Sequence, residues 1–202
     1  MKINKTHIFI AAVVFQIAVF AFTICKAKSV VKEAARNGQI YTFETNVYDP
    51  RDVMKGRYVQ LSFNESTVSI ENLDEESKSI KFSSIPVGKK LYAVIKADEN
   101  GIAHISGLRE KIPQDQTFIT VKFKYFYQQE EKKVSLDFNF DRFYLQEEHA
   151  DFIDKVRSSE HPMHLEVYID GRGNIIQKEL YLYDEELGYI PAVEFIKKAN
   201  NK

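Results

Sequence analysis

Tryptophan is absent from this chain, and cysteine occurs once, at Cys25. A lone cysteine inside an apolar run leaves the rest of the chain with no disulfide to hold it and no thiol chemistry to offer. Any stable fold must therefore come from burial of apolar side chains, with 15 Phe and 11 Tyr carrying the aromatic share. A basic excess is missing too. Six of the 28 Lys and Arg and one of the 29 Asp and Glu fall within the first 36 residues, which leaves 22 against 28 in the remainder, a formal charge of −6. Such a surface argues against nucleic acid as a partner.

Only one long apolar run is present, Ile8 to Cys25, "IFIAAVVFQIAVFAFTIC". At about 1.5 Å per residue it just covers a hydrocarbon core of roughly 30 Å, so His7, Lys5, Lys26 and Lys28 are expected to snorkel to the two surfaces. Residues 1–7 then form a short terminus, 8–25 a membrane anchor in contact with lipid, and 26–38 a helical extension that stops at Asn37 and Gly38. A cleaved signal peptide is the rival reading, but its apolar region runs about 7 to 15 residues and ends at a small-x-small site, whereas this run is longer and ends in Lys26. A lipoprotein is disfavoured by bulky Ile24 before Cys25. The flanking charges are opposed to export of the large domain, because Lys26, Lys28, Lys32 and Arg36 outnumber Lys2 and Lys5. Large domains translocate largely regardless of that rule, and the expectation here is a cytosolic N-terminus with residues 39–202 outside the cytoplasm.

From Gln39 onward the dominant period is two, so the chain reads as mainly β, built of antiparallel hairpins with some α+β character. "TFITVKFKYFY" at Thr117 to Tyr127 pairs with "KVSLDFNFDRFY" at Lys133 to Tyr144. With Phe123 opposite Phe138, Lys124 falls opposite Asp137 and Tyr125 shares the core face. Two further hairpins turn near Asp98 to Gly101 and at Asp170 to Gly173, where Asp and Gly suit a tight reversal. "DGRGN" lacks the further carboxylates that a calcium loop needs. "NLDEESKS" at Asn72 to Ser79 reads as a solvated loop. One or two short helices are expected late in the chain. "EEHADFIDKVRSS" puts His149, Phe152, Ile153 and Val156 on one stripe, and "IPAVEFIKKA" has Pro191 suited to a first turn.

The stretch "YDPRDVMKGRYVQLSF", Tyr48 to Phe63, is the most distinctive. Asp49, Pro50 and Asp52 read as a capped helical turn, with Arg51 or Lys55 balancing the carboxylates and Gly56 reversing the chain. On the strand that follows, Arg57, Val59, Leu61 and Phe63 share one face and Tyr58, Gln60 and Ser62 the other. At these residues the chain resembles the membrane-anchored GDYXXLXY family: Gly56, Tyr58 and Leu61 match its Gly, Tyr and Leu, while Arg57 replaces its Asp and Phe63 its last Tyr. "YAVIKADENGIA", "DRFYLQEE" and "LEVYIDGRGNIIQKELYLYD" follow in the order expected of that family. The resemblance implies an anchored bacterial domain outside the cytoplasm and names no reaction. It also favours a structural role for the motif, since Arg57 stands where the family carries Asp and every other part of the architecture is kept.

Two functional classes follow. The first is a non-enzymatic binding or assembly module whose partner is another membrane or envelope protein, with Phe118 and Phe126, on the Lys122 and Lys124 face, as a possible partner surface. The second is a membrane-tethered hydrolase using the region from Asp49 to Ser62. Type I signal peptidases also carry a Gly-Asp pair leading into a strand, but here no serine lies between Gly38 and Gly56 to act as nucleophile, and Ser62 with Lys55 would be a forced substitute. No catalytic residue is assigned on this basis. His149, His161 and His164 form the best candidate metal cluster, yet their spacing fits no familiar zinc pattern, so no metal and no cofactor are expected.

Overall fold

The computed structural model describes residues 5–47, 58–128, 132–153, 155–156 and 160–201. The chain divides into two compact units, residues 1–38 and 39–202. In the first, α1 (Lys5–Asn37) is one continuous helix that ends before Gly38. Its stretch Phe9–Ser29 has a mean hydropathy of 2.2 and is long and apolar enough to cross a membrane. Phe9, Phe15, Phe20 and Phe22 are each more than 60% exposed, an apolar surface that lipid would cover. Two hydroxyls on this helix are satisfied within it: Thr23 Oγ1 donates to the Val19 and Phe20 carbonyls, and Ser29 Oγ to that of Lys26. Such back-bonding leaves few polar groups for lipid to desolvate.

The second unit is a pair of antiparallel sheets. The first contains β1 (Gln39–Val47), β2 (Tyr58–Phe63), β8 (Arg142–Tyr144), β9 (Met163–Ile169), β10 (Ile175–Asp184) and β11 (Gly188–Pro191) in the order β11-β10-β9-β1-β2-β8. The second holds β3 (Thr67–Ser69), β4 (Lys90–Ala97), β5 (Ala103–Arg109), β6 (Phe118–Tyr127) and β7 (Lys133–Phe138) in the order β3-β7-β6-β4-β5. Among the described residues the helices of this unit are α2 (Glu75–Lys78), α3 (Glu147–Ile153) and α4 (Ala192–Asn200). The fold is thus mainly antiparallel β, with one apolar N-terminal helix and short helices late in the chain. Pro191 closes β11 and directly precedes α4, one position earlier than expected.

Strand alternation explains the core. Along β9, Met163, Leu165, Val167 and Ile169 are buried, while His164, Glu166 and Tyr168 turn outward. β1 buries Tyr41, Phe43 and Thr45 in the same manner. The inward faces of the two sheets meet at four phenylalanines: Phe43 on β1, Phe63 on β2, Phe138 on β7, and Phe140 just beyond it. Their ring centroids lie 4.8 to 6.4 Å apart in edge or tilted contacts.

Three expectations are corrected. In the β6–β7 pair, Phe123 faces Leu136 and Lys122 faces Asp137, so the register near the core is displaced by two residues from the expected one. An even shift keeps Val121 and Phe123 buried. A bulge at Lys124 then rotates the rest of β6, so that Tyr125 is exposed and Phe126 turns toward the core and Phe82. Lys124 Nζ still lies 3.3 Å from Asp137 Oδ1, reached diagonally. Second, Lys133 to Tyr144 is not one strand: the chain turns at residues 139–140 and passes to the other sheet as β8. Third, "NLDEESKS" is no solvated loop. Asp74 caps α2 by accepting from the Ser77 amide, and Ser77 is fully buried.

The two Asp-Gly turns form as expected. Asp98 Oδ1 accepts from the Asn100 and Ile102 amides, and Asp170 Oδ1 from those of Arg172 and Asn174. Gly101 and Gly173 both have positive φ, +81° and +77°. They differ in surroundings, because a Cβ on Gly101 would meet open space, whereas on Gly173 it would lie 2.5 Å from Phe118 Cε2. Gly101→Ala should therefore cost about 1–2 kcal/mol from backbone strain alone. Gly173→Ala should cost about 2–4 kcal/mol, since the ring of Phe118 must also move. Urea unfolding of the two variants side by side measures the difference, and equal losses would mean that the contact with Phe118 adds nothing to the cost.

Candidate functional site

The motif strand β2 alternates cleanly. Val59, Leu61 and Phe63 are at most 3% exposed and face the core, Phe63 within the phenylalanine cluster. Tyr58 lies half-buried on the other face, its ring 5.8 Å from Tyr144 and 5.1 Å from the Arg142 guanidinium. Gln60 Nε2 donates to Asp141 Oδ2, and the Ser62 carbonyl accepts from Thr45 Oγ1. Asp49, Pro50, Arg51, Asp52, Lys55, Gly56 and Arg57 lie outside the described residues. Ser62 and Gln60 border a groove of about 360 Å³ shared with Ser135, Asp137, Asp141 and Lys124, where Lys124 is paired with Asp137.

Phe118 and Phe126 do not form an exposed patch. Phe118 is 3% exposed because the β9–β10 turn covers it at Gly173 and the Tyr92 ring packs edge-on at 5.6 Å. Phe126 is half-buried for the reason given by the bulge. The exposed tyrosines nearby are Tyr125 and Tyr127, edge to face at 4.8 Å. The three histidines are held in separate settings: His149 on α3, His161 with Nδ1 2.9 Å from the Tyr183 carbonyl and its ring against Phe195, and His164 on the outer face of β9. Among the described residues no three of His, Cys, Asp and Glu come together in a way that could hold a metal ion.

A different set of residues converges instead. On the outer face of the six-stranded sheet, Glu44 pairs across to His164, and His164 across to Tyr181. Thr42 and Glu166 stand opposite each other on the same face, one alternation along. Tyr189 reaches over from β11 and stacks on the His164 ring, centroids 3.9 Å apart and planes inclined by 16°. Asn100 and Ile102, from the β4–β5 turn, complete the wall, helped by a single bridge between Thr42 and Ile102. The result is a trough of about 450 Å³ floored by sheet side chains.

Its electrostatics are uneven. Glu166 accepts from Lys178 Nζ at 2.7 Å and from the Tyr181 hydroxyl at 3.3 Å, so its charge is largely compensated. Glu44 accepts from the neutral Asn64 amide at 2.9 Å. Burial holds the His164 imidazole below its ordinary pKa, and the charge on Glu44 opposes that only in part. Burial and the same Glu44 charge push the Tyr189 phenol up. The trough therefore presents a neutral imidazole, two phenols and one weakly compensated carboxylate.

A model of the GDYXXLXY protein family matches residues 16–180. The chain belongs to the GDYXXLXY family. The match takes in most of α1 and the β unit as far as β10, so the motif strand and most of the trough lie within it. No curated protein and no solved structure matches the chain.

The trough was not foreseen from the sequence, although one signal was available: "HLEVYI" places His164, Glu166 and Tyr168 together on the face opposite Leu165 and Val167. Alternation identifies such a face but not its neighbours, since β1, β9 and β10 are brought side by side only by the sheet order.

Proposed function

We propose that this GDYXXLXY protein is a single-pass, membrane-anchored, non-enzymatic binding or assembly module of the bacterial envelope. In this reading residues 8–25 sit in lipid, the N-terminus stays in the cytosol, the domain 39–202 is exported, and a membrane or envelope protein docks in the trough. The observation that carries it is the contrast between the two candidate regions. Of the described motif residues, Leu61 and Phe63 are spent on the core and Tyr58 packs against Tyr144 and Arg142, whereas the trough gathers outward-facing side chains suited to recognition: a stacked His–Tyr pair, a second tyrosine and two carboxylates.

Export is supported by a signal-like apolar helix near the N-terminus and by the acidic balance of the domain, against the basic cluster from Lys26 to Arg36. A C-terminal fusion to a reporter active only outside the cytoplasm should be active and membrane-bound; an inactive fusion beside an active cytosolic-type reporter would reverse the orientation. For the docking role, a photo-crosslinking residue at Tyr189 in intact cells should give a discrete protein adduct. Combined replacement of Asp49, Arg51, Asp52, Tyr58 and Ser62 should leave that adduct and the cellular function in place if the folded level is unchanged. Loss of function in such a folded variant, with the adduct retained, would favour the tethered hydrolase.

A further inference from the structure

Resting on the docking role proposed above for the trough, we infer that its occupant is a cationic side chain, a lysine or arginine of the partner polypeptide, with Glu44 as counter-ion and His164, Tyr181 and Tyr189 around its stem. Charge is the first argument. Of the two carboxylates lining the trough, Glu166 already holds Lys178 at 2.7 Å, while among the described residues Glu44 holds only the Asn64 amide and remains exposed. Anything negative entering the trough would meet that uncompensated charge. A cation would gain it at a site where aromatic rings displace part of the water and so weaken screening.

The second argument is the state of His164. The ring is half-buried against Tyr189, and burial favours its neutral form, so it brings no positive charge of its own to Glu44. The histidine thereby acts as an aromatic and hydrogen-bonding wall. Tyr189 is itself flanked by Tyr183 at 5.3 Å, which fixes the wall in place. A long aliphatic stem ending in a charged head suits such a mixed lining, because lysine and arginine bury methylenes while their heads find a carboxylate. A bare metal ion suits it less, since among the described residues no metal-holding group of three ligands forms.

The test uses the full-length chain in uncharged detergent micelles and follows its five histidine ring signals by NMR, with His164→Gln identifying the relevant one. The probe is the capped tripeptide Gly-Arg-Gly, compared with the same tripeptide carrying neutral citrulline. The arginine peptide should shift the His164 signal saturably and lower its titration midpoint, because a cation at Glu44 cancels the carboxylate's upward pull on the imidazole. Citrulline should do neither. Glu44→Gln should weaken the arginine response at least about tenfold, and Glu44→Asp should keep part of it. An absent His164 response, an equal response to citrulline, or full binding by Glu44→Gln overturns the cationic occupant. A Tyr189 photo-adduct without an arginine response overturns this inference alone, and an arginine response without any adduct supports the cation site while removing the docking role.

Discussion

Phe43→Ala should remove about 3–5 kcal/mol of folding stability, the range for truncating a fully buried phenylalanine. Phe43 has no exposed surface, and its ring meets Phe63, Phe138 and Phe140 at 5.9, 6.4 and 5.6 Å. Those partners come from both sheets, so the cavity would open at the seam between them rather than at an edge where a loop could collapse into it. Phe43→Leu keeps most of the volume and should lose about 1–1.5 kcal/mol. Since domains of this size hold about 5–15 kcal/mol in total, the alanine variant should sit near the threshold of folding. Tyrosine fluorescence in urea provides the measurement: all 11 tyrosines lie in residues 39–202 and none in α1, so a persistent detergent-bound helix would not mask the transition. A loss below about 1.5 kcal/mol for Phe43→Ala would mean that the phenylalanine seam does not hold the sheets together.

Part of this packing was legible in advance. Phe43, Phe63, Phe123 and Phe138 stand at alternating apolar positions, and alternation is a local property, so their burial followed from the sequence by counting in twos. The turns at Asp98 and Asp170 were equally legible, because an aspartate that accepts from amides two and four residues on makes its own reversal. The face beyond Lys124 was not legible. A bulge inserts one residue, reverses every later side chain, and is decided by a distant partner, here Phe82 meeting Phe126. The trough was hidden for a related reason: Glu44, His164 and Tyr181 are more than a hundred positions apart at the extremes and meet only through strand order. Phe118 was misread because its cover, the turn at Gly173, comes from the other sheet.

Arg109→Ala is the second large effect, and it reaches beyond stability. Arg109 sits at the end of β5, the outermost strand of its sheet, with its side chain only 10% exposed. It grips Asp74 with both terminal nitrogens, Nη2 to Oδ2 at 2.6 Å and Nη1 to Oδ1 at 3.0 Å, and Nη1 also donates to Ser77 Oγ at 3.0 Å. Through this grip the segment around α2 closes the strand edge. The Asp74 amide donates to the Ser106 carbonyl and the Leu108 amide to Ser77 Oγ, while Glu65 Oε2 takes the Ile105 amide. Gly107 is the residue that allows the approach, since a Cβ there would stand 2.5 Å from Asp74 Oδ2. Removing the guanidinium should cost about 2–3 kcal/mol, less than for a fully buried pair because the Asp74 side chain is 38% exposed. Free edge strands pair with other chains, so Arg109→Ala should also self-associate faster than the parent under mildly destabilising conditions, measurable by light scattering. Acid should reproduce part of the effect. Arg109 above all, and Ser77 after it, hold the Asp74 carboxyl well below the usual carboxylate range, so the unfolded chain takes up this proton first as pH falls. The stabilisation is complete above the ordinary carboxylate pKa of about 4 and declines below it toward the lower folded value. Asp74→Asn should therefore be less stable than the parent at pH 7 and pH 5, with the gap narrowing by pH 3. A gap that stayed constant over that range would mean that the pair between Arg109 and Asp74 contributes nothing to the cap, leaving α2 held by its hydrogen bonds, by Ser77 and by the contact of Arg109 Nε with Glu76 Oε2 at 2.9 Å.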